Sequence, residues 1–158
     1  MFREMRRFKQ ALSQEECSTI LEKERRGILS VNGDDGYPYG VPLNFYYDKE
    51  NGSIYFHSAK VGHKIDAMNG DDKVCFTVFE KDGELTDDGW SYMVNSVICF
   101  GRARELEGEE KERAARLFGA RYFPTKEELE YEMGEPFTRV RMTEIKIEHM
   151  SGKRVHEK

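Results

Sequence analysis

Ser53 to Glu80 reads SIYFHSAKVGHKIDAMNGDDKVCFTVFE. Ser53–Ser58 follows the turn signal Asn51-Gly52 and is rich in β-branched and aromatic residues, which predicts a strand. Val61, Ile65 and Met68 then recur at helical spacing, one face of a two-turn helix, with Gly70 placed to stop it. Lys73–Glu80 returns as a strand with Val74, Phe76 and Val78 on one face. The connection carries His57, Ser58, His63 and Lys64. A hydroxyl, free amides and an ammonium at a helix N-terminus suit an anion, above all a phosphate. Lys64 is the leading candidate. A cation in a first helical turn is opposed by the helix dipole, and an anion beside it would rationalise the position. A solvated surface lysine is the plain alternative.

Upstream, Ser13-Gln14-Glu15-Glu16 is a capping box, followed by an apolar stripe of Cys17, Ile20 and Leu21. Arg25 and Arg26 suit the end of that helix, and Gly27 would stop it. Gly27–Asn32 predicts a strand and Asp34–Pro38 a turn. A second strand spans Tyr39–Tyr47, with Val41, Leu43, Phe45 and Tyr47 alternating against Gly40, Pro42, Asn44 and Tyr46. Pro42 has no amide to donate, so this strand is an edge or is bulged there.

Downstream, Lys81–Asp88 is a polar, acidic loop. Ser91–Glu107 predicts a long strand, bulged near Asn95-Ser96 or Gly101. Its run Val97-Ile98-Cys99-Phe100 has the look of burial on both sides. Gly108–Tyr122 is a helix with Ala114, Leu117, Phe118 and Tyr122 inward. Thr125 and Glu128 cap a shorter helix. The last strand, Phe137–His149, changes parity between Val140 and Met142 on one hand and Ile145 and Ile147 on the other, which calls for a bulge or a break. About six strands with helices in the connections give an α+β, mostly antiparallel barrel, read as one domain over residues 1–158.

Composition narrows the function classes. The chain has 158 residues, 35% of them charged, and a net charge of −5. That balance argues against a general nucleic-acid binder, which needs a basic surface. No apolar run approaches membrane-span length, so no membrane partner is expected. MFREMRRFKQ has charge without an apolar core behind it, so it is not a signal peptide and a cytoplasmic protein is expected. Cys17, Cys75 and Cys99 are read as small buried hydrophobes. His57 and His63 lack a companion pattern such as H-E-x-x-H, so no metal site is expected.

The motifs GVPLNFYYD, FHSAKVGHKIDAM, SVICFGRA and IEHMSGK, in that order from about Met5 to Lys153, resemble the pyridoxamine 5′-phosphate oxidase-like family of FMN-binding split β-barrels. The likeness is closest to the nitroimidazole-resistance-type flavoproteins. It implies a split β-barrel, FMN as cofactor, and a homodimer with flavin sites at the subunit interface. It implies that the backbone of Pro42, Leu43 and Asn44 faces the flavin ring edge. His57, Ser58 and Ala59 would lie along the ribityl phosphate, and His63 and Lys64 would meet the phosphate. Asn95 and Ser96 would be contacts from the partner subunit or an adjacent strand.

The implied function is an oxidoreductase that uses reduced nicotinamide, NAD(P)H, to reduce a small aromatic or nitro compound. Alternatives are a non-catalytic flavin- or haem-binding protein, with His57 or His63 as ligand, and a dimeric sensing or structural module of the same fold. No catalytic side chain is assigned, because the flavin itself carries the electrons. The arginine-rich pattern of vitamin B6 phosphate recognition is absent from HSAKVGHK, so vitamin B6 oxidation is not expected. A dimer is also expected from apolar supply. The strands at Tyr39–Tyr47, Lys73–Glu80 and Ser91–Phe100 are apolar or aromatic on both faces, with Tyr46, Trp90 and Tyr92 as candidates for an exposed patch.

Overall fold

The computed structural model describes residues 1–87, 89–90 and 92–155; Asp88 and Ser91, at the ends of the expected acidic loop and long strand, lie outside them. In chain order the elements are β1 (Ala11–Leu12), α1 (Gln14–Lys23), β2 (Arg26–Asn32), β3 (Pro38–Asn44), β4 (Tyr46–Asp48), β5 (Ser53–Ser58), α2 (His63–Gly70), β6 (Lys73–Phe79), β7 (Glu84–Leu85), β8 (Tyr92–Glu105), α3 (Gly108–Tyr122), α4 (Lys126–Glu132), α5 (Glu135–Arg139) and β9 (Arg141–Val155). The strands pair antiparallel in the order β3-β2-β6-β8-β9-β5-β4, with β1 on β9 and β7 on β8. This is the expected α+β split barrel.

The first and last strands of that order, β3 and β4, are one stretch of chain bent at Phe45. The bend closes the barrel. Phe45 is fully buried and meets Phe76 edge to face at 5.1 Å. Inside lie Leu29, Val31, Ile54, Phe56, Val74, Phe76, Val78, Val97, Cys99 and Ile145, with α1 adding Cys17, Ile20 and Leu21 and α2 adding Ile65 and Met68. Burial pushes the Cys99 thiol up to about 12, so it behaves as a small hydrophobe. Outside, α3 packs Ala114, Ala115 and Phe118 against Tyr55 and Met142. Arg113 of α3 pairs with the buried Asp48 at 3.0 Å, and despite its burial hydrogen bonds from Asn51, Arg113 and Tyr55 hold that carboxyl below its ordinary range.

The capping box at Ser13 and Glu16 forms as expected. Several boundaries differ. Glu24 is extended and buried, so α1 stops at Lys23 and Arg26 and Gly27 belong to β2. Val61 is 78% exposed and precedes α2, while Gly70 is the last helical residue and Asp71 the cap. The expected second strand is broken at Phe45, with Pro42 on the terminal strand of the sheet. Phe137 is helical, because Pro136 sits in the first turn of α5.

The parity change in β9 has a different origin from a bulge. Met142 faces the helices and Ile145 faces the barrel interior, so both parities are buried by two separate cores. The bulge lies further on: Phe100 pairs with His149 and Gly101 with Ile147. A Cβ on Gly101 would stand 2.3 Å from the Lys146 carbonyl oxygen, which is why glycine occupies that crossing. Ile98 and Phe100 are 37% and 39% exposed, so the middle of β8 is buried on one face only.

Candidate functional site

β4 pairs with β5 through Tyr46↔Tyr55, Tyr47↔Ile54 and Asp48↔Ser53. Continued by the same register, Phe45, Asn44 and Leu43 would fall opposite Phe56, His57 and Ser58. No such pairing is made. Among the described residues, β3 turns away to pair only with β2, and the far side of Phe56–Ser58 is left without a strand. The result is a slot between the free edge of β3 and the end of β5. One end is closed by the Phe45 bend. The other is closed by Tyr39 of β3, whose ring stacks on His63 of α2 at 4.2 Å. Val41 and Leu43 pack against the core beneath it.

α2 begins beside this slot without a side-chain cap. Its N-cap, Gly62, has φ +127°, a conformation that suits glycine alone, and has no side-chain oxygen; its carbonyl accepts from the Ile65 and Asp66 amides at 2.8 and 3.1 Å, which leaves the His63 and Lys64 amides open among the described residues. Lys64, partly buried in that first turn, makes no hydrogen bond or ion pair among the described residues. His63 Nε2 lies 3.6 Å from Asp34. Ser58 is buried and its hydroxyl donates to the Ala59 carbonyl at 2.9 Å. Unsatisfied amides and an unpaired ammonium on one helical turn fit an anionic group of phosphate type. The free main-chain edge of β3 fits a planar polar rim. Pro42, Leu43 and Asn44 thus lie on the free edge of β3, and Ser58, Ala59, His63 and Lys64 lie at the end of β5 and the start of α2.

His57 does not join them. Alternation along β5 turns it to the opposite face, where its ring meets Phe118 edge to face at 4.9 Å. There it lines a cavity of about 110 Å³ between the sheet and α3, α4 and α5, with Ala115, Phe118, Glu132, Phe137 and Met142. Burial lowers the imidazole's pKa, with Glu132 pulling the other way. Asn95 and Ser96 are also apart. Ser96 pairs with Phe79 at one end of the β6–β8 ladder, and Lys73, which follows α2, pairs with Arg102 at the other. The Asn95 side chain accepts from Arg154 at 3.3 Å. Tyr46 is not part of an exposed patch, since it packs into the helix-side cluster, whereas Trp90 and Tyr92 are exposed.

Two features escaped the sequence reading. Tyr39 closes the slot, though an aromatic in a strand carries no mark of such a role. Glu132 stands at the helix-side cavity, and only its odd place at a helix C-terminus hinted at it.

A family profile described as pyridoxamine 5′-phosphate oxidase matches residues 13–154. The chain belongs to that family. No curated protein matches it significantly. Among solved structures, a candidate 5-nitroimidazole antibiotic resistance protein from Bacteroides thetaiotaomicron superposes with a TM-score of 0.79 at 24% identity, over 91% of this chain and 86% of that one. A FAD-binding protein from Mesorhizobium loti gives 0.66 at 25% identity, over 92% and 97%. A FAD- and haem-binding protein from Mycobacterium smegmatis gives 0.72 at 16% identity, over 93% and 74%. These structures share their fold with the present chain.

Proposed function

We propose that the protein is a flavoprotein that holds FMN in the slot between β3 and β5 and reduces a small aromatic or nitro compound with electrons from NAD(P)H. The observation that carries this reading is Lys64, an ammonium without a partner on the uncapped first turn of α2. Family membership supports it, as do relatives described as FAD-binding. A phosphate monoester would satisfy the Lys64 charge and the free amides together. Ser58 and Ala59 would border the chain between phosphate and ring, and the main chain of Pro42, Leu43 and Asn44 would meet the ring's polar rim. Bound flavin supplies a two-electron acceptor and donor, so the protein needs no nucleophile of its own.

The reading includes a homodimer. Among the described residues, no helix covers the outer faces of β2, β6 and β8, and Phe2 stacks on Phe100 there at 5.6 Å. Phe79, Ile98 and Phe100 are exposed there at 53%, 37% and 39%. A two-fold pairing would bury this surface twice and bring Asn95 and Ser96 of one subunit toward the slot of its partner.

The absorption spectrum of the purified protein tests the cofactor. Flavin bands are expected, and a Soret band or a featureless visible region would contradict the reading. Reconstitution with FMN, FAD and riboflavin then ranks the ligands, and NAD(P)H oxidation by the loaded protein tests the oxidoreductase assignment.

A further inference from the structure

The two sides of the slot meet where the Tyr39 ring of β3 lies on the His63 ring of α2, with centroids 4.2 Å apart and planes 21° from parallel. Three elements hold this pair. Tyr39 is half-buried against the barrel core. His63 is the first residue of α2 and is placed by that helix. The turn between β2 and β3 is the third support. The Gly33 amide donates to the Tyr37 carbonyl at 2.9 Å, and the Tyr37 amide donates to the Asp34 carbonyl at 3.0 Å. This turn lies so close under the pair that a Cβ on Gly33 would stand 3.2 Å from His63 Nε2 and 3.0 Å from Tyr39 Cβ. The Asp34 carboxylate is 3.6 Å from the same imidazole nitrogen. The stack is therefore a supported wall rather than two loose side chains.

Its place gives it a consequence for the ligand. The wall starts at His63, whose amide is open together with that of Lys64 among the described residues. A phosphate held by those amides and by the Lys64 ammonium comes to rest at the foot of the wall. With the flavin ring toward Pro42–Asn44 and the Phe45 bend, the phosphate is the far end of the ligand. A group esterified to it runs into Tyr39 and His63. Charge works in the same direction. A phosphate monoester carries about −1.5 to −2 near neutral pH, whereas a diester carries a single charge and makes weaker charge-assisted bonds to Lys64. The second phosphate of a dinucleotide would also come toward Asp34 and Asp35 of the turn.

We infer that the stack of Tyr39 on His63 sets the length of the ligand: the slot takes a flavin that ends in a phosphate monoester, FMN, and discriminates against the dinucleotide FAD by blocking what lies beyond the first phosphate. The inference rests on the flavoprotein reading above and adds to it the side chains that choose between the two cofactors.

FMN and FAD, titrated calorimetrically into the flavin-free full-length protein, test it through the ratio of their dissociation constants. The unaltered protein is expected to bind FAD at least tenfold more weakly than FMN. His63→Ala and Tyr39→Ala each remove one half of the stack and keep the main-chain amides and Lys64. Each should bring the two constants within threefold of one another. Loss of mere structural support would weaken both flavins alike and leave the ratio where it was. A lowered ratio in either variant supports the inference. FAD bound as tightly as FMN by the unaltered protein, or a ratio unchanged in both variants, overturns it and leaves the flavoprotein reading standing. A protein that binds neither flavin sinks that reading and this inference with it.

Discussion

The hydroxyl of Tyr122 lies 2.6 Å from the carbonyl oxygen of Phe45 and 2.6 Å from that of Arg25, so one side chain of α3 spans the bend where β3 becomes β4. The same oxygen is 3.2 Å from the Phe45 amide. Tyr122→Phe keeps the ring and takes the donor from the Phe45 carbonyl, while the Phe45 amide and the Arg25 carbonyl still pair with each other at 3.3 Å. A loss of about 1–3 kcal/mol is expected, the cost of leaving a buried polar group unpaired. Urea unfolding should show a lower midpoint with an unchanged slope. An unchanged midpoint would mean that packing alone holds the bend.

Lys64→Ala should leave the fold intact and weaken FMN by one to two decades, since a charge-assisted bond is worth about 1.5–3 kcal/mol. Riboflavin, which lacks the phosphate, should lose little. Titration of the apo-protein with both ligands separates the cases. Equal losses would remove Lys64 from the phosphate site.

The sequence made the local signals legible and left the two-sided ones obscure. The alternation of Val74, Phe76 and Val78, the Ser13 capping box and the helical spacing of Ile65 and Met68 each depend on neighbours a few residues away, and each led to the right element. The slot was legible only as a missing amide at Pro42, because an edge is defined by strands that are absent. His57 was misplaced for the opposite reason. Motif likeness aligned it with Ser58, but strand alternation sends adjacent side chains to opposite faces. β9 misled through parity, since a strand with a core on each side shows no single period.

Acid should weaken the fold through His57. Burial holds its folded pKa below the ordinary 6.5, so the unfolded chain takes up its proton first as pH falls. The contribution is constant well above pH 6.5, is lost as pH falls through about that value, and levels off below the folded pKa. Thermal midpoints at pH 7.5 and pH 5.5 should differ for the unaltered protein and differ less for His57→Asn. Parallel curves for the two would show that His57 titrates as it does in the unfolded chain.

The exposed strip of β6 and β8 gives the oligomer test. Ile98→Glu places a charge among residues that include Phe79 and Phe100, so it should convert a dimer to a monomer with little effect on monomer stability. Light scattering over a dilution series, with and without FMN, reads the mass, and FMN should hold the dimer together at lower concentration. An unaltered protein that binds FMN stoichiometrically as a monomer would refute the shared site.

Among the described residues, β9 is the only strand that joins the two halves of the sheet, β3-β2-β6-β8 on one side and β5-β4 on the other. It also pairs with β1 through Ala11↔Lys153, across nearly the whole chain. The order of events in folding follows from this. The hairpins β2–β3 and β4–β5 close short loops and can form early, but neither the barrel nor the slot exists until the latest segment in sequence has threaded between them. Such long-range closure makes the search slow, and until it is complete the edges of β8 and β5 stand open to strands of other chains. Aggregation during refolding should therefore be set by how quickly Arg141–Val155 finds its place.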